Sequence, residues 1–268
     1  MKLKLPYIIR LKGGLGNQLF QYAYGIKMEQ KFGLTVLFDA RGLRNANSPR
    51  EFELSDFKFL SEHKRKFIFE GNSNFIGKLL SSIYSKLGRS YKESDEMSRP
   101  GIYSGFWQST KYLEFLDLGG VKDIEFNESF VNDFKISRKS NDVALHIRGT
   151  DFLVDKNYKN LGWDYYEKAL SFFDCGLNNL SITIFTDDPV YVKNLVPKEI
   201  RYYLTDSKSA GQDLLRLSQF PNFILANSTF SLWAAYLSQS SGGKVIVPGL
   251  DYFYLKGEIF KSNWLVVD

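Results

Sequence analysis

The feature of this chain that most restricts its fold is an alternation of short apolar runs with helix-length segments after Asn141. Apolar runs of this length predict strands, and the longer segments between them predict helices. The predicted strands are 143–147, 180–185, 200–204, 222–226 and 244–248, and the predicted helices are 163–173, 190–196, 212–219 and 230–238. Because strands that alternate with helices form parallel sheets, this half of the chain predicts an open, doubly wound α/β sheet.

A shorter unit of the same kind opens the chain. It consists of a predicted strand at 7–11, a glycine-rich turn at 13–16, a predicted helix at 18–32 and a predicted strand at 34–38. Polar residues at 137–141 separate the two series. We therefore predict two α/β domains, residues 1–138 and 139–268, each with a parallel sheet covered by helices.

The composition restricts the class of protein. With 44% hydrophobic and 16% aromatic residues, the chain differs from disordered proteins. Its 35 basic and 30 acidic residues give a net charge of +5, which mildly favours an anionic partner such as a nucleotide or a phosphorylated lipid. The sequence contains no ribbon of interleaved aromatic and basic residues, so we expect no nucleic-acid partner.

Cysteine and histidine are scarce. The single cysteine, Cys175, excludes an intrachain disulfide and is typical of a protein in a reducing compartment. With His63 and His146 as the two histidines, a zinc site would depend mainly on carboxylates, and we expect no metal.

The N-terminal segment does not have the pattern of a signal peptide, because Pro6 and Arg10 interrupt its apolar run. No run approaches the ~20 apolar residues that span a bilayer. We expect a cytoplasmic protein. Its basic runs at 63–66 and 81–89 form either solvated faces or a peripheral contact with the inner face of the cytoplasmic membrane.

The first candidate motif is the run Gly13-Gly14-Leu15-Gly16-Asn17-Gln18-Leu19. Its glycines allow a ligand to approach the backbone, and Asn17 and Gln18 present amides at the start of a helix. Two alternatives stay open. One is a tight turn capped by Asn17; the other is a dinucleotide fingerprint with Asp39 on the ribose, which Leu19 at the third glycine position disfavours.

The second and third motifs follow predicted strands. The strand at 143–147 leads to His146, Arg148 and Asp151, and a guanidinium there suits a phosphate or an ion pair with Asp151. The strand at 180–185 leads to Asp187 and Asp188. These acids would bind Mg²⁺ or Mn²⁺ with a nucleotide diphosphate, or Asp188 would cap the helix that Pro189 begins.

The fourth motif runs from Asp213 to Asn227-Ser228-Thr229-Phe230 at the start of a helix. Hydroxyl groups and free N–H groups at a helix N-terminus hold phosphate. Ser228 or Thr229 alternatively serves as a plain N-cap, and Trp233 is expected in the core.

Together these motifs, with Gly-Phe-Trp-Gln at 105–108, resemble the bacterial α-1,2-fucosyltransferases of glycosyltransferase family 11. The matches run in the family's order from residue 13 to about residue 235. The resemblance implies a GT-B fold, with two Rossmann-like domains and a nucleotide cleft between them. Residues 1–138 would face the acceptor and residues 139–268 would bind the GDP-sugar.

The resemblance also implies an activity and its partners. L-Fucose would move from GDP-β-L-fucose to the 2-hydroxyl of a galactoside, with inversion and without a metal or other cofactor. The acceptor would be a galactose-containing glycan or a lipid-linked oligosaccharide used in surface polysaccharide synthesis. A nucleotide-sugar-binding protein without activity, a related transferase with another donor and a nicotinamide-dependent oxidoreductase are the alternatives.

The implied roles are carried by residues at the matching positions. Arg148 would grip the β-phosphate and Asn17 would face the sugar and the acceptor. The implied donor-binding residues are Gly14, Gly16, His146, Asp151, Asp187, Asp188, Asp213, Asn227, Ser228, Thr229 and Phe230. Among these, Asp213 would read the guanine edge, His146 would line the guanosine site, and the turn at 228–230 would hold the diphosphate.

One position departs from the family's pattern. The family commonly reads His-x-Arg-Arg-x-Asp, and the second arginine is Gly149 here. This removes one positive charge near the donor site and leaves the pairing of Asp151 and the identity of the donor open.

Overall fold

The computed structural model describes residues 5–44, 49–71, 74–94, 97–112, 125–134, 138–150, 159–206, 209–238, 242–253 and 259–268. The chain forms two compact units, Met1–Phe130 and Val131–Asp268. The division therefore follows Phe130, whereas the polar residues of the sequence suggested a boundary at 138/139.

The first unit contains a parallel five-stranded sheet in the order β3-β2-β1-β5-β4. Its elements are β1 (Tyr7–Arg10), α1 (Leu15–Phe32), β2 (Val36–Asp39), α2 (Lys58–His63), β3 (Phe67–Ile68), α3 (Phe75–Lys86), β4 (Ser90–Lys92) and β5 (Ile102–Ser104), followed by α4 (Glu128–Phe134) at the division. The predicted opening βαβ unit is confirmed. The later strands have two or three residues, too few to show a period in the sequence.

The helix α1 is buried around most of its circumference. Phe20, Tyr22 and Tyr24 are each at most 1% exposed. Gly25 lies against the sheet, where an added Cβ would come 2.5 Å from Cζ of Phe38. A residue without a side chain is required at this contact because Phe38 is itself enclosed by other aromatic rings.

The second unit contains a parallel six-stranded sheet in the order β11-β10-β9-β6-β7-β8. Its elements are β6 (Asp142–Ile147), α5 (Trp163–Leu170), β7 (Ser181–Thr186), α6 (Pro189–Leu195), β8 (Tyr203–Leu204), α7 (Ala210–Ser218), β9 (Asn222–Ile224), α8 (Thr229–Leu237), β10 (Val245–Pro248) and β11 (Leu265–Val267). All nine elements predicted in this half are confirmed, and β11 is an additional strand. The strand order reverses between β6 and β9, which makes the sheet doubly wound.

The two faces of β6 have different neighbours. Val143, Leu145 and Ile147 pack in one core cluster with Tyr165 and Tyr166 of α5. Because side chains alternate along a strand, His146 projects to the opposite face of the sheet. None of the described helices is both long enough and apolar enough to cross a membrane.

We expect Gly25→Val to lower the free energy of unfolding by about 1–3 kcal/mol, because the new methyl groups would overlap the enclosed Phe38 ring. Urea unfolding followed by circular dichroism measures this loss. In a Phe38→Leu background the ring is absent, and the same substitution should cost much less. An equal cost in both backgrounds would show that Phe38 is not the obstacle.

Candidate active site

The carboxyl ends of three adjacent strands bring three of the sequence motifs to one edge of the second sheet. The strand β6 pairs with β7 on one side and with β9 on the other. Arg148 follows β6, Asp187 follows β7, and Ser228 lies shortly beyond β9. This edge includes the point where the strand order reverses, which is the usual ligand site of open α/β sheets.

Arg148 forms an ion pair with Asp187. Its Nη1 lies 2.8 Å from Oδ2 of Asp187, and the two side chains are 22% and 26% exposed. The Gly149 N–H and the Thr150 hydroxyl also donate to the Asp187 carboxylate, at 2.8 and 2.6 Å. Burial alone would raise the pKa of Asp187, but the Arg148 charge and these hydrogen bonds together lower it.

The ion pair differs from the alternative raised by the sequence, in which Asp151 paired with Arg148. Asp151 lies outside the described residues. Because both partners stay partly exposed, the pair sits at the open end of the sheet and not in its interior.

Asp188, the acid next to Asp187 in the sequence, has a different role. Asp188 caps α6, since its side chain accepts a hydrogen bond from the Tyr191 N–H at 2.9 Å. The capping interpretation is thus confirmed, with Pro189 in the first turn. Within the described part of the chain, no three or more His, Cys, Asp or Glu side chains cluster as metal ligands.

Gly149 is sterically required beside Asp188. A Cβ built on Gly149 would lie 2.4 Å from Cβ of Asp188, and Asp188 is fixed by its capping bond. An arginine at this position, as in the family's usual pattern, therefore has no room unless the start of α6 moves.

His146 is a buried, neutral imidazole. It is 4% exposed, and its ring centroid lies 5.3 Å from that of Phe230 in α8. Burial and the nearby Arg148 charge lower its pKa to about 3, with Asp187 opposing them. Its Nδ1 has no hydrogen-bond partner among the residues that the structure describes.

The turn before α8 is organised by its own side chains. Ser228 is the N-cap, and its hydroxyl accepts from the Phe230 N–H at 3.2 Å. The Asn227 amide donates to the carbonyls of Lys159 and Tyr252, at 2.8 and 2.9 Å, and so joins three segments. Thr229 begins the helix, while Trp233 is fully buried, as expected.

Asp213 is separated from these residues in the sequence and belongs to a different helix. It belongs to the first turn of α7, which Ser209 caps, and α7 packs against α8. The structure thus brings His146, Arg148, Asp187 and Phe230 together directly, and connects Asp213 to them through α8.

The glycine loop of the first unit is built on Asn17. Gly13 has φ +78°, and an added Cβ would lie 2.4 Å from Nδ2 of Asn17. Asn17 is not the cap of α1, as one alternative proposed, because the N-cap is Gly14. Its Oδ1 instead accepts from Nε2 of Gln108 at 2.5 Å, while Gly16 is buried in the first turn.

Two fully buried glutamines hold this loop. An amide was expected from Gln18 at the start of the helix, whereas Gln21 had no assigned role. Gln18 donates to the carbonyls of Gly13 and Glu51, at 2.9 and 2.8 Å. Gln21 exchanges two hydrogen bonds with the Lys12 backbone and donates to Gly105 at 3.0 Å. A glutamine between aromatic residues in a predicted helix is the sequence signal that would have identified Gln21.

The loop that carries Gln108 is also tightly held. Glu93 accepts from the N–H groups of Phe106 and Trp107, at 2.7 and 3.0 Å. Trp107 has the strained φ of +48° and stacks on Tyr24 at 4.4 Å. Gln108 was part of a recognised motif without an assigned role, and the structure connects it to Asn17.

The Asp39 carboxylate is already paired with an arginine of the first unit. It is 2% exposed, and Arg41 binds both of its carboxylate oxygens, at 2.8 and 2.7 Å. A carboxylate held in this way does not meet a ribose, which removes the structural basis of the dinucleotide alternative.

A doubly wound parallel sheet with a candidate site at its reversal point is typical of nucleotide-binding α/β proteins. The particular assignment follows from comparison with known proteins. The chain belongs to glycosyltransferase family 11, whose model matches residues 2–268, and it is therefore a glycosyltransferase. This confirms the resemblance found in the motifs.

Two relatives from Escherichia coli cover nearly the whole chain. The O-antigen biosynthesis glycosyltransferase WbnK is 28% identical over 95% of this chain and 98% of its own. An alpha-1,2-colitosyltransferase is 27% identical over 90% of each chain.

Solved structures share the fold. The NodZ alpha-1,6-fucosyltransferase soaked with GDP-fucose aligns with a TM-score of 0.51 and 13% identity, over 94% of this chain and 98% of its own. POFUT1 in complex with GDP aligns with a TM-score of 0.52 and 11% identity, over 90% of this chain and 98% of its own. The architecture with two parallel sheets is GT-B-like, as predicted.

The depressed pKa of His146 predicts how stability depends on pH. Between about pH 3 and 6.5 the unfolded chain binds a proton here that the folded chain excludes, so this group destabilises the fold as the pH falls. His146→Gln removes the effect. The unfolding free energy of the wild type should therefore fall relative to that of the variant by up to about 1.4 kcal/mol per pH unit between pH 6 and 4.

Urea titrations of both proteins at several pH values measure this difference in unfolding free energy. The contributions of titrating groups that both proteins share cancel in it. A constant difference across the range would mean that the His146 imidazole is protonated in the folded protein.

Proposed function

We propose that the protein transfers L-fucose from GDP-β-L-fucose to the 2-hydroxyl of a galactoside, with inversion, during O-antigen or related surface polysaccharide synthesis. The observation that carries the proposal is Arg148 at the reversal point of the second sheet, where the neighbouring strand β9 leads to the N-terminus of α8. Family membership, the O-antigen enzyme among the relatives and the fucosyltransferases that share the fold support it.

Electrostatic stabilisation of the leaving group would drive the reaction. When the bond between fucose and the β-phosphate breaks, negative charge grows on the phosphate and positive charge on the sugar ring. The Arg148 guanidinium and the N–H groups at the start of α8 would stabilise the phosphate charge. Asp187 fixes the guanidinium in one orientation, so little reorganisation would be needed.

The neutral state of His146 suits this arrangement. A buried imidazole beside Phe230 offers a flat surface and a polar edge without adding a second charge next to Arg148. We assign this surface to the guanosine, with Asp213 on α7 for the guanine edge. We further propose that the reaction needs no metal, and that Asp188 and Asn227 help to bind the donor in addition to making their structural hydrogen bonds. We also propose a cytoplasmic location with peripheral membrane contact.

On the acceptor side, Asn17 would orient the incoming hydroxyl. The amide is held by Gln108, and the loop beneath it is held by Gln18 and Gln21. Three fixed amides would give this loop the rigidity that positioning requires.

The donor sugar is the part of the proposal most open to test, because one relative is named for colitose, a sugar that lacks the 3-hydroxyl of fucose. GDP-L-fucose and GDP-L-colitose should be compared as donors at equal concentration with a panel of β-galactoside acceptors, and the linkage in each product determined by NMR. We expect fucose transfer to O2 of galactose. A preference for colitose would agree with a glycosyltransferase but contradict fucose as its donor sugar. Nucleotide binding without turnover would contradict the proposed enzymatic activity.

Arg148→Ala should lower kcat by about a hundredfold to a thousandfold, the usual cost of removing one group that stabilises developing charge. The steady-state rate of GDP release with a galactoside acceptor measures this loss. Arg201→Ala is a matched control, because Arg201 is an exposed arginine of the same unit next to the edge strand β8. A variant at 148 that folds and retains more than about a tenth of the rate would contradict the assigned role.

Asp187→Asn tests whether the Arg148–Asp187 pair serves the donor or only the fold. The substitution removes a negative charge that would repel the diphosphate and compete for the guanidinium. We expect GDP to bind up to about tenfold more tightly, measured by calorimetry. Unchanged affinity with a lower melting temperature would indicate a purely structural pair, and weaker binding would indicate that orienting the guanidinium matters more than the repulsion by the Asp187 charge.

A further inference from the structure

The helix α3 carries apolar side chains on two faces. Its inner face, with Gly77, Ser81 and Tyr84, is buried against the first sheet. Its other apolar face, which we call the outer stripe, consists of Phe75, Ile76, Leu79, Ile83 and Leu87, which are 72%, 69%, 49%, 40% and 63% exposed. Five large apolar side chains on one exposed helix face form a patch that soluble surfaces rarely carry without a partner.

The outer stripe belongs to a rigid part of the molecule. Asn74 has φ 62°, and its side chain caps α3 by accepting from the Gly77 N–H at 2.9 Å. A Cβ on Gly77 would lie 2.6 Å from Ile68, so the inner face sits directly on the sheet. The stripe is therefore held outward by the fold.

Cations lie along one edge and at one end of the outer stripe. Lys78 and Lys86 lie along one edge of it, eight residues apart on the same side of the helix. The Asn74 amide donates to the Arg65 carbonyl at 2.8 Å, which holds the exposed Lys64 and Arg65 at the Phe75 end. From Gly71 to Lys92 the sequence has no acidic residue.

We propose that the outer stripe docks on the surface of an anionic lipid bilayer, with its apolar side chains at the acyl boundary and its cations on the headgroups. An apolar helix face bordered by lysine and arginine is the combination that such a surface binds. A second copy of the chain fits less well, because a two-fold contact would place the same cations of both copies against each other. The inference does not depend on which sugar the enzyme transfers.

Co-sedimentation of the full chain with vesicles tests the proposal. We expect binding to phosphatidylglycerol-containing vesicles at least about tenfold tighter than to pure phosphatidylcholine, and weaker at high salt. Phe75→Ser with Leu79→Ser, and separately Lys78→Glu with Lys86→Glu, should each lower binding by about tenfold or more. Leu177→Ser is the control, because Leu177 is an exposed apolar residue of the other unit.

All variants should keep the wild-type melting temperature and the wild-type rate on a soluble acceptor, since α3 is outside the proposed site. Phe75→Trp adds a reporter that preserves the stripe, and its emission should shift to the blue on anionic vesicles. Equal binding to neutral and anionic vesicles, no binding, or no spectral shift would overturn the proposal. A wild-type dimer by light scattering that Phe75→Ser with Leu79→Ser converts to a monomer would assign the stripe to a second copy and overturn it as well.

Discussion

The candidate site of the second unit is organised around one ion pair, between Arg148 and Asp187. A guanidinium at the end of a fully buried strand needs a partner, and the neighbouring strand β7 supplies one at its own carboxyl end. Because the two strands are adjacent and parallel, the pair forms wherever the sheet forms. The same geometry leaves the pair partly open to solvent, so a ligand at the sheet edge would meet an oriented cation.

In the first unit, amide side chains fix the conformation of the glycine loop. A loop rich in glycine has little preference for one conformation, and its shape has to be imposed from outside. Gln18, Gln21 and Gln108 do this from beneath and from the facing loop. Buried amides that bind backbone groups are costly to leave unsatisfied, which restricts the loop to one arrangement.

Much of the fold could be predicted from the sequence, but the contacts at the site could not. Strands such as β6 and β7 are rich in apolar residues, and their spacing from helices is regular, so their order predicts the sheet. The short strands β3 and β4 carry too little pattern. Arg148 could be singled out as a charge in an apolar run, yet choosing Asp187 as its partner requires knowing which strand lies beside β6.

Gly149 shows how a departure from a family pattern can be explained by packing. Its backbone passes so close to Asp188 that a side chain is excluded, and its N–H donates to Asp187. The lack of a side chain thus lets the backbone lie beside the start of α6, where its N–H steadies the carboxylate facing Arg148. With His146 neutral and Arg148 paired, the described side chains of this edge carry little net charge, so under the proposed function backbone N–H groups of α8 would share the diphosphate charge with a single guanidinium.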